Sequence, residues 1–273
     1  MKFFKLGGIV LVGLSLALAG CGNNQSQSKS SSTQQSSQAN MKNASSSSDN
    51  AVSASSSSAQ SSSVPATNNY SFAGLTKKLA ADLPNTALPT NPGINVGTKH
   101  VNIKYTGNSS NSTIYYVLGS NALPLNDSSI NIGSAYAVFS KHTYPSATQA
   151  QAKINYTDQS NSQGLPKVNL VNKISAVKQS GAGQTYLQWN EGNWSIAVHG
   201  SDVNNTDPTS LAKQVANMFE SYSLPAPNKY GSIQFEADQS GRSQKISWQS
   251  GNIVYTLTTT TPQIGIIMGS SIK

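Results

Sequence analysis

The sequence predicts an α+β domain, in which helices pack on a largely antiparallel sheet built from repeated units of one helix and three strands. Three observations predict it. Two stretches match at a constant offset of 59 positions, each ends in a Trp-x-x-Gly hairpin, and helical periodicities alternate with short β-branched and aromatic runs.

The offset comes first. Leu165-Pro166 returns as Leu224-Pro225, Asn169 as Asn228, Ile174 as Ile233, Leu187 as Ile246, Trp189 as Trp248, and Gly192-Asn193 as Gly251-Asn252. A gapless match over almost thirty residues reads as two copies of one supersecondary unit, over about 165–198 and 224–257. The plainer alternative is two hairpins that converged on one pattern. Each hairpin is expected to turn at Glu191-Gly192 or Ser250-Gly251, the glycine supplying a positive φ. Trp189 then falls opposite Trp194, Leu187 opposite Ile196, Trp248 opposite Ile253 and Ile246 opposite Tyr255. One face of each hairpin is therefore apolar and aromatic. Cross-strand pairs of this kind contribute roughly 0.2–1 kcal/mol each, which explains the pattern by folding alone. The functional alternative is a platform of Trp189, Trp194 and Trp248 that stacks sugar rings.

The clearest helix precedes the second copy. Asp207 is a good N-cap, Pro208 suits the first helical position, and Leu211, Val215, Met218, Phe219 and Tyr222 recur at helical spacing. Leu224-Pro225 ends it. Ser146 to Tyr156 reads as a weaker helix ahead of the first copy, and Phe72 to Leu83 as another that closes on Leu83-Pro84. Between those two, Val101 to Tyr105, Thr113 to Leu118 and Ser134 to Ser140 read as strands.

Residues before about 70 are of a different kind. Lys2 and Lys5 precede a run from Leu6 to Leu18 that is apolar apart from glycines and Ser15, and Ala19-Gly20-Cys21 follows. A positive start, a short apolar stretch and small residues at the cut are what the export machinery requires, so residues 1–20 read as a signal peptide cleaved between Gly20 and Cys21. Leu18-Ala19-Gly20-Cys21 resembles the lipobox of bacterial lipoproteins, and that resemblance implies a diacylglyceryl group on the Cys21 thiol. The alternative is an ordinary secreted chain with a cysteine beside its cleavage site. Each buried methylene contributes about 0.8 kcal/mol and two acyl chains suffice for stable anchoring, so the lipid needs no second anchor. After Cys21 the sequence has no apolar run near the roughly 20 residues of a spanning helix.

From Gly22 to Asn69 serine, asparagine, glutamine, alanine and threonine dominate; there is no aromatic residue, and only Lys29, Lys42 and Asp49 are charged. Such a segment buries too little apolar surface to offset its conformational entropy, and it reads as a disordered tether. Its root-mean-square reach is roughly 35–40 Å and its full extension about 150 Å, enough to stand a domain off a membrane.

Composition excludes several classes. Cys21 is the single cysteine, so internal disulfides and cysteine-rich metal sites are ruled out. The formal charge of +8 falls to about +6 once Lys2 and Lys5 leave with the leader. That mild bias suits an anionic wall polymer or lipid headgroups, but there is no dense basic stripe of a nucleic-acid binder. No Gly-x-Ser-x-Gly elbow, phosphate-cradling glycine loop or calcium loop appears, and His100, His142 and His199 lack zinc-site spacing. His199 with Asp202 is the one suggestive His/Asp neighbourhood, and it reads as loop chemistry. Glu236 and Asp238 share a parity near a strand end and read as a solvated edge. No residue is therefore assigned as catalytic, cofactor-binding or metal-ligating.

In general appearance the Trp-x-x-Gly hairpins, the Leu-Pro punctuation and the Ser-rich tether resemble surface lipoproteins of lactobacilli and related Gram-positive bacteria. The resemblance implies a lipid-anchored protein on the extracytoplasmic face of the cell membrane, and it brings no activity with it. The expected function is a non-enzymatic module that binds an envelope component, an anionic wall polymer or an envelope protein; the alternative is a wall-modifying hydrolase whose residues converge only in space.

Overall fold

A computed structural model describes residues 69–160 and 162–273. The leader, Cys21 and residues 22–68 of the expected tether lie outside them. Within the described residues, α1 (Phe72–Asp82) leads into β1 (His100–Gly107), β2 (Asn111–Gly119) and β3 (Ala137–Thr143). A single-turn α2 (Ala147–Gln151) precedes β4 (Lys167–Asn169), β5 (Ser175–Gly181), β6 (Gln184–Glu191) and β7 (Trp194–Ser201). Then come α3 (Pro208–Phe219), β8 (Gly231–Glu236), β9 (Gln244–Ser250), β10 (Ile253–Thr259) and α4 (Pro262–Ser270).

This corrects the expected fold class. Among the described residues the fold is mostly sheet: ten strands join in one mixed sheet of order β1-β2-β3-β10-β9-β8-β7-β6-β5-β4, with four short helices against it. Separate units of one helix and three strands do not form. The reason is edge pairing: β10 joins β3 antiparallel, with Leu257 against Phe139, and β7 joins β8 parallel, with Ile196 against Ile233. Of the ten strands only β1 and β4 then remain as edges, and the joins satisfy backbone groups that isolated three-stranded units would leave exposed.

Local sequence sets the helices. Asp207 accepts from Thr209 N–H and Pro208 opens α3, which buries Leu211, Ala212, Val215 and Ala216. Ser71 caps α1, and Leu75 and Leu79 are its buried contacts. The helix expected over Ser146 to Tyr156 shrinks to Ala147–Gln151, because Ala150 and Ile154 are the only buried side chains over that span and they make no apolar stripe to extend it. Thr261 and Pro262 start α4, a helix that is apolar nearly all round and therefore shows no amphipathic period.

The hairpin registers also differ from expectation, by two residues. Trp189 pairs with Ile196 and Glu191 with Trp194, while Trp248 pairs with Tyr255 and Ser250 with Ile253. The turns are thus Gly192-Asn193 and Gly251-Asn252. Gly192 at φ 54° and Gly251 at φ 61° occupy the first central position, where a type II′ turn needs positive φ. Parity is unchanged by a two-residue shift, so the same side chains share a face.

That face holds the core. Ile103, Ile114, Phe139, Leu257, Ile246, Phe235, Val198 and Leu187 pack with Leu79, Val215 and Met268 in one buried cluster beneath α1, α3 and α4. On the opposite face, α2 covers part of β10 through Ala150, Ile154 and Val254, and Ile130 and Ala135 cover Val117 on β2. Among the described residues no helix packs on this second face across β6, β7 and β8, and its alternate positions carry Gln188, His199, Gln234 and Glu236 with the buried Ser195 and Ser232.

Candidate functional site

The pleat places His199 on the uncovered face. Along β7, Ile196 and Val198 turn to the core, so Ser195, Ala197 and His199 turn away from it. The α3 crossover brings the chain back as a parallel neighbour and sets Glu236 beside His199 in register. His199 Nδ1 stands 2.5 Å from Glu236 Oε2, and His199 Nε2 stands 2.6 Å from Gln184 Oε1 on β6. Gln184 Nε2 in turn donates to Ser201 Oγ at 3.2 Å. The Tyr186 ring lies over the imidazole, with centroids 4.4 Å apart and planes inclined by 22°, and remains 39% exposed. Both imidazole nitrogens are therefore engaged, and an accessible aromatic ring covers the pair.

Beside this cluster runs a groove of about 270 Å³, lined by Tyr186, Gln188, Ser195, Ala197, Ser232 and Gln234 on the sheet. Its far wall is the segment holding Asn155, Thr157 and Gln159. Hydrogen bonds clamp that wall in place: Gln159 N–H donates to Asn190 Oδ1 at 2.8 Å, Gln159 Nε2 to Gln188 Oε1 at 2.9 Å, and Asn190 Nδ2 to the Thr157 carbonyl at 3.0 Å. Beside aliphatic Ile196, Ala197 and Ile233, the lining is made of amides, hydroxyls and one aromatic ring, without a charged side chain. Such groups donate and accept in equal measure, which matches a ligand rich in hydroxyls.

No family model, curated protein or solved structure matches this chain. Its site must therefore be understood from its own geometry.

The residues singled out from sequence fall in different places. Trp189 and Trp248 are 3% and 2% exposed, inside the core under the helices, where Trp248 stacks on Tyr255 and Phe139. Their rings are closed in by packing and cannot form an open platform. Trp194 is half-buried on the same side of the sheet and lines a separate small cavity. Gly20 and Cys21 lie outside the described residues.

His199 and Asp202 do not pair; the carboxylate that reaches His199 is Glu236, distant in sequence and adjacent in the sheet. Glu236 is thus part of the cluster, while Asp238 turns back to bond Ser240 in the following turn. His100 and His142 are exposed on the other half of the sheet. Among the described residues, no group of three His, Cys, Asp or Glu could hold a metal ion. Gln184, Tyr186, Gln188 and Gln234 escaped notice in the sequence. Their signal was the polar member of each alternation in β6 and β8, legible only once the strand neighbours are known.

Proposed function

We propose that this chain is a lipoprotein, anchored through Cys21 on the extracytoplasmic face of the membrane, whose globular part is a non-enzymatic module that binds a hydroxyl-rich polymer of the cell envelope. The observation that carries the binding reading is the groove on the uncovered face of β6, β7 and β8, walled by Gln188, Ser195, Ser232 and Gln234 and edged by the exposed Tyr186 ring. An aromatic face beside planar amides suits a sugar ring, whose C–H face stacks while its hydroxyls exchange hydrogen bonds.

Binding is favoured over catalysis by the state of His199. A general base must present a free imidazole nitrogen to the group it deprotonates, yet Nδ1 faces Glu236 and Nε2 faces Gln184. The pair instead backs the Tyr186 ring, which stacks on His199 and edges the groove. The anchor rests on the lipobox resemblance and on the tether composition, which together stand a binding domain away from the bilayer.

Two experiments test this reading. Cys21→Ser should move the processed protein from the membrane fraction into the medium; retention in the membrane would contradict the anchor. The released chain should sediment with isolated cell-wall material without degrading it; turnover of that material would contradict the non-enzymatic reading.

A further inference from the structure

A second cavity lies on the helix side of the sheet. It has a volume of about 200 Å³ and sits between the C-terminal end of α3 and the start of β7. Aromatic Trp194, Phe219 and Tyr222, aliphatic Ile196 and Leu224, and the carboxylate of Glu191 line it. Trp189 Nε1 donates to Glu191 Oε1 at 2.7 Å, so the carboxylate is held in place by a core side chain. Among the described residues no basic side chain forms an ion pair with it.

That combination is unusual for this chain. Acids number only ten in a protein of formal charge +8, yet Glu220 stands close enough to Glu191 to add its own negative field. Burial pushes the Glu191 carboxyl above the ordinary carboxylate range, the direction expected of a carboxylate without a counter-charge. A cavity of mixed lining, with Ser223 beside the apolar side chains, one fixed anion and several aromatic groups, supplies what an organic cation needs: a surface for its alkyl groups and negative charge for its centre.

We infer that this cavity binds the head of a small organic cation, an alkylated ammonium group, seated between the Glu191 carboxylate and the side chains of Trp194, Phe219 and Tyr222. The volume admits a trimethylammonium head, and the rest of a ligand can extend through the open side of the cavity. Lysine-like primary ammonium groups are disfavoured because their hydration is stronger and the walls offer one anion only. The site is independent of the groove on the other face and does not rest on the envelope-binding reading.

The test is a titration of the intact chain, kept soluble by Cys21→Ser, with choline and with its neutral isostere 3,3-dimethyl-1-butanol. The readout is the indole N–H resonance of Trp189, which reports directly on the Glu191 carboxylate. Choline should shift it saturably, and the neutral isostere should bind at least about tenfold more weakly. Glu191→Gln keeps the shape and should weaken choline by about tenfold or more. Tyr222→Leu keeps apolar bulk and should weaken it with the Glu191 carboxylate intact. Phosphatidylcholine vesicles that compete with choline would mark a lipid headgroup as the source of the cation; absence of competition would mark a free solute. Equal binding of the two isosteres, no saturable shift at about 0.1 M choline, or choline binding unchanged in both variants would each overturn the inference.

Discussion

His199 Nδ1 and Glu236 Oε2 stand 2.5 Å apart although 37 positions separate them in the chain. The parallel pairing of β7 with β8, reached through the crossover helix α3, creates the contact, and the Tyr186 ring stacked on His199 links it to the candidate groove. Each partner is partly exposed, so a moderate, coupled effect on stability is expected rather than a large one. His199→Ala and Glu236→Gln should each cost on the order of 1 kcal/mol. In a double-mutant cycle by urea unfolding, the two losses should be less than additive. Full additivity would show that the pair does not act as a unit.

Trp248 and Tyr186 separate packing from recognition. Trp248 is buried against Phe139 and Tyr255, with centroids 6.0 and 5.2 Å away, so Trp248→Ala should destabilise by about 3–5 kcal/mol. Tyr186 is exposed on the groove side, so Tyr186→Ala should change stability by less than about 1 kcal/mol while weakening ligand binding. Thermal unfolding of both variants, set beside a wall-sedimentation assay, distinguishes the two roles.

Two carboxyls should respond to pH with opposite sign. The raised Glu191 carboxyl contributes stability that is complete below its ordinary range and is lost as pH rises through its higher folded value. Asp207 is held below its ordinary range by the Thr209 N–H and then by the Thr209 hydroxyl. Its contribution is present above the unfolded value and is lost as pH falls through the lower folded one. Glu191→Gln should therefore gain most on its parent at neutral pH. Asp207→Ala should cost about 1 kcal/mol at neutral pH and less in acid. Urea midpoints across the acid-to-neutral range check both signs.

Two glycines should fail for different reasons. At Gly251 a Cβ would meet open space, so Gly251→Ala carries only the left-handed backbone cost of about 1–2 kcal/mol. At Gly231 a Cβ would overlap the Trp194 ring, so Gly231→Ala should cost about 1–3 kcal/mol and displace that ring. Tryptophan fluorescence should change in the second variant and stay constant in the first.

What could be read from the sequence was local. Asp207 with Pro208 marks the start of α3 because capping depends on adjacent residues, and Gly192 and Gly251 mark the hairpins because positive φ is a property of one position, although each turn begins at its glycine instead of ending there as Glu191-Gly192 and Ser250-Gly251 would. The fold class was misread because long-range pairing has no local signal. Nothing near Phe139 announces Leu257 as its neighbour, and nothing near Ile196 announces a parallel partner at Ile233. The tryptophans were visible, but exposure was not, since an aromatic stripe on one sheet face looks the same under helices as under water. The groove was hidden for the complementary reason: glutamines and serines at alternate positions look like an ordinary solvated face until three strands set them side by side.

Binding on the uncovered face of β6, β7 and β8 is tested most directly by sedimenting the Cys21→Ser chain with isolated cell-wall material beside a Tyr186→Ala, Gln188→Ala, Gln234→Ala variant of equal thermal stability. The parent should bind saturably and the variant at least about tenfold more weakly, as expected when aromatic stacking and two amide contacts are removed together. Equal binding by parent and variant would contradict the claim.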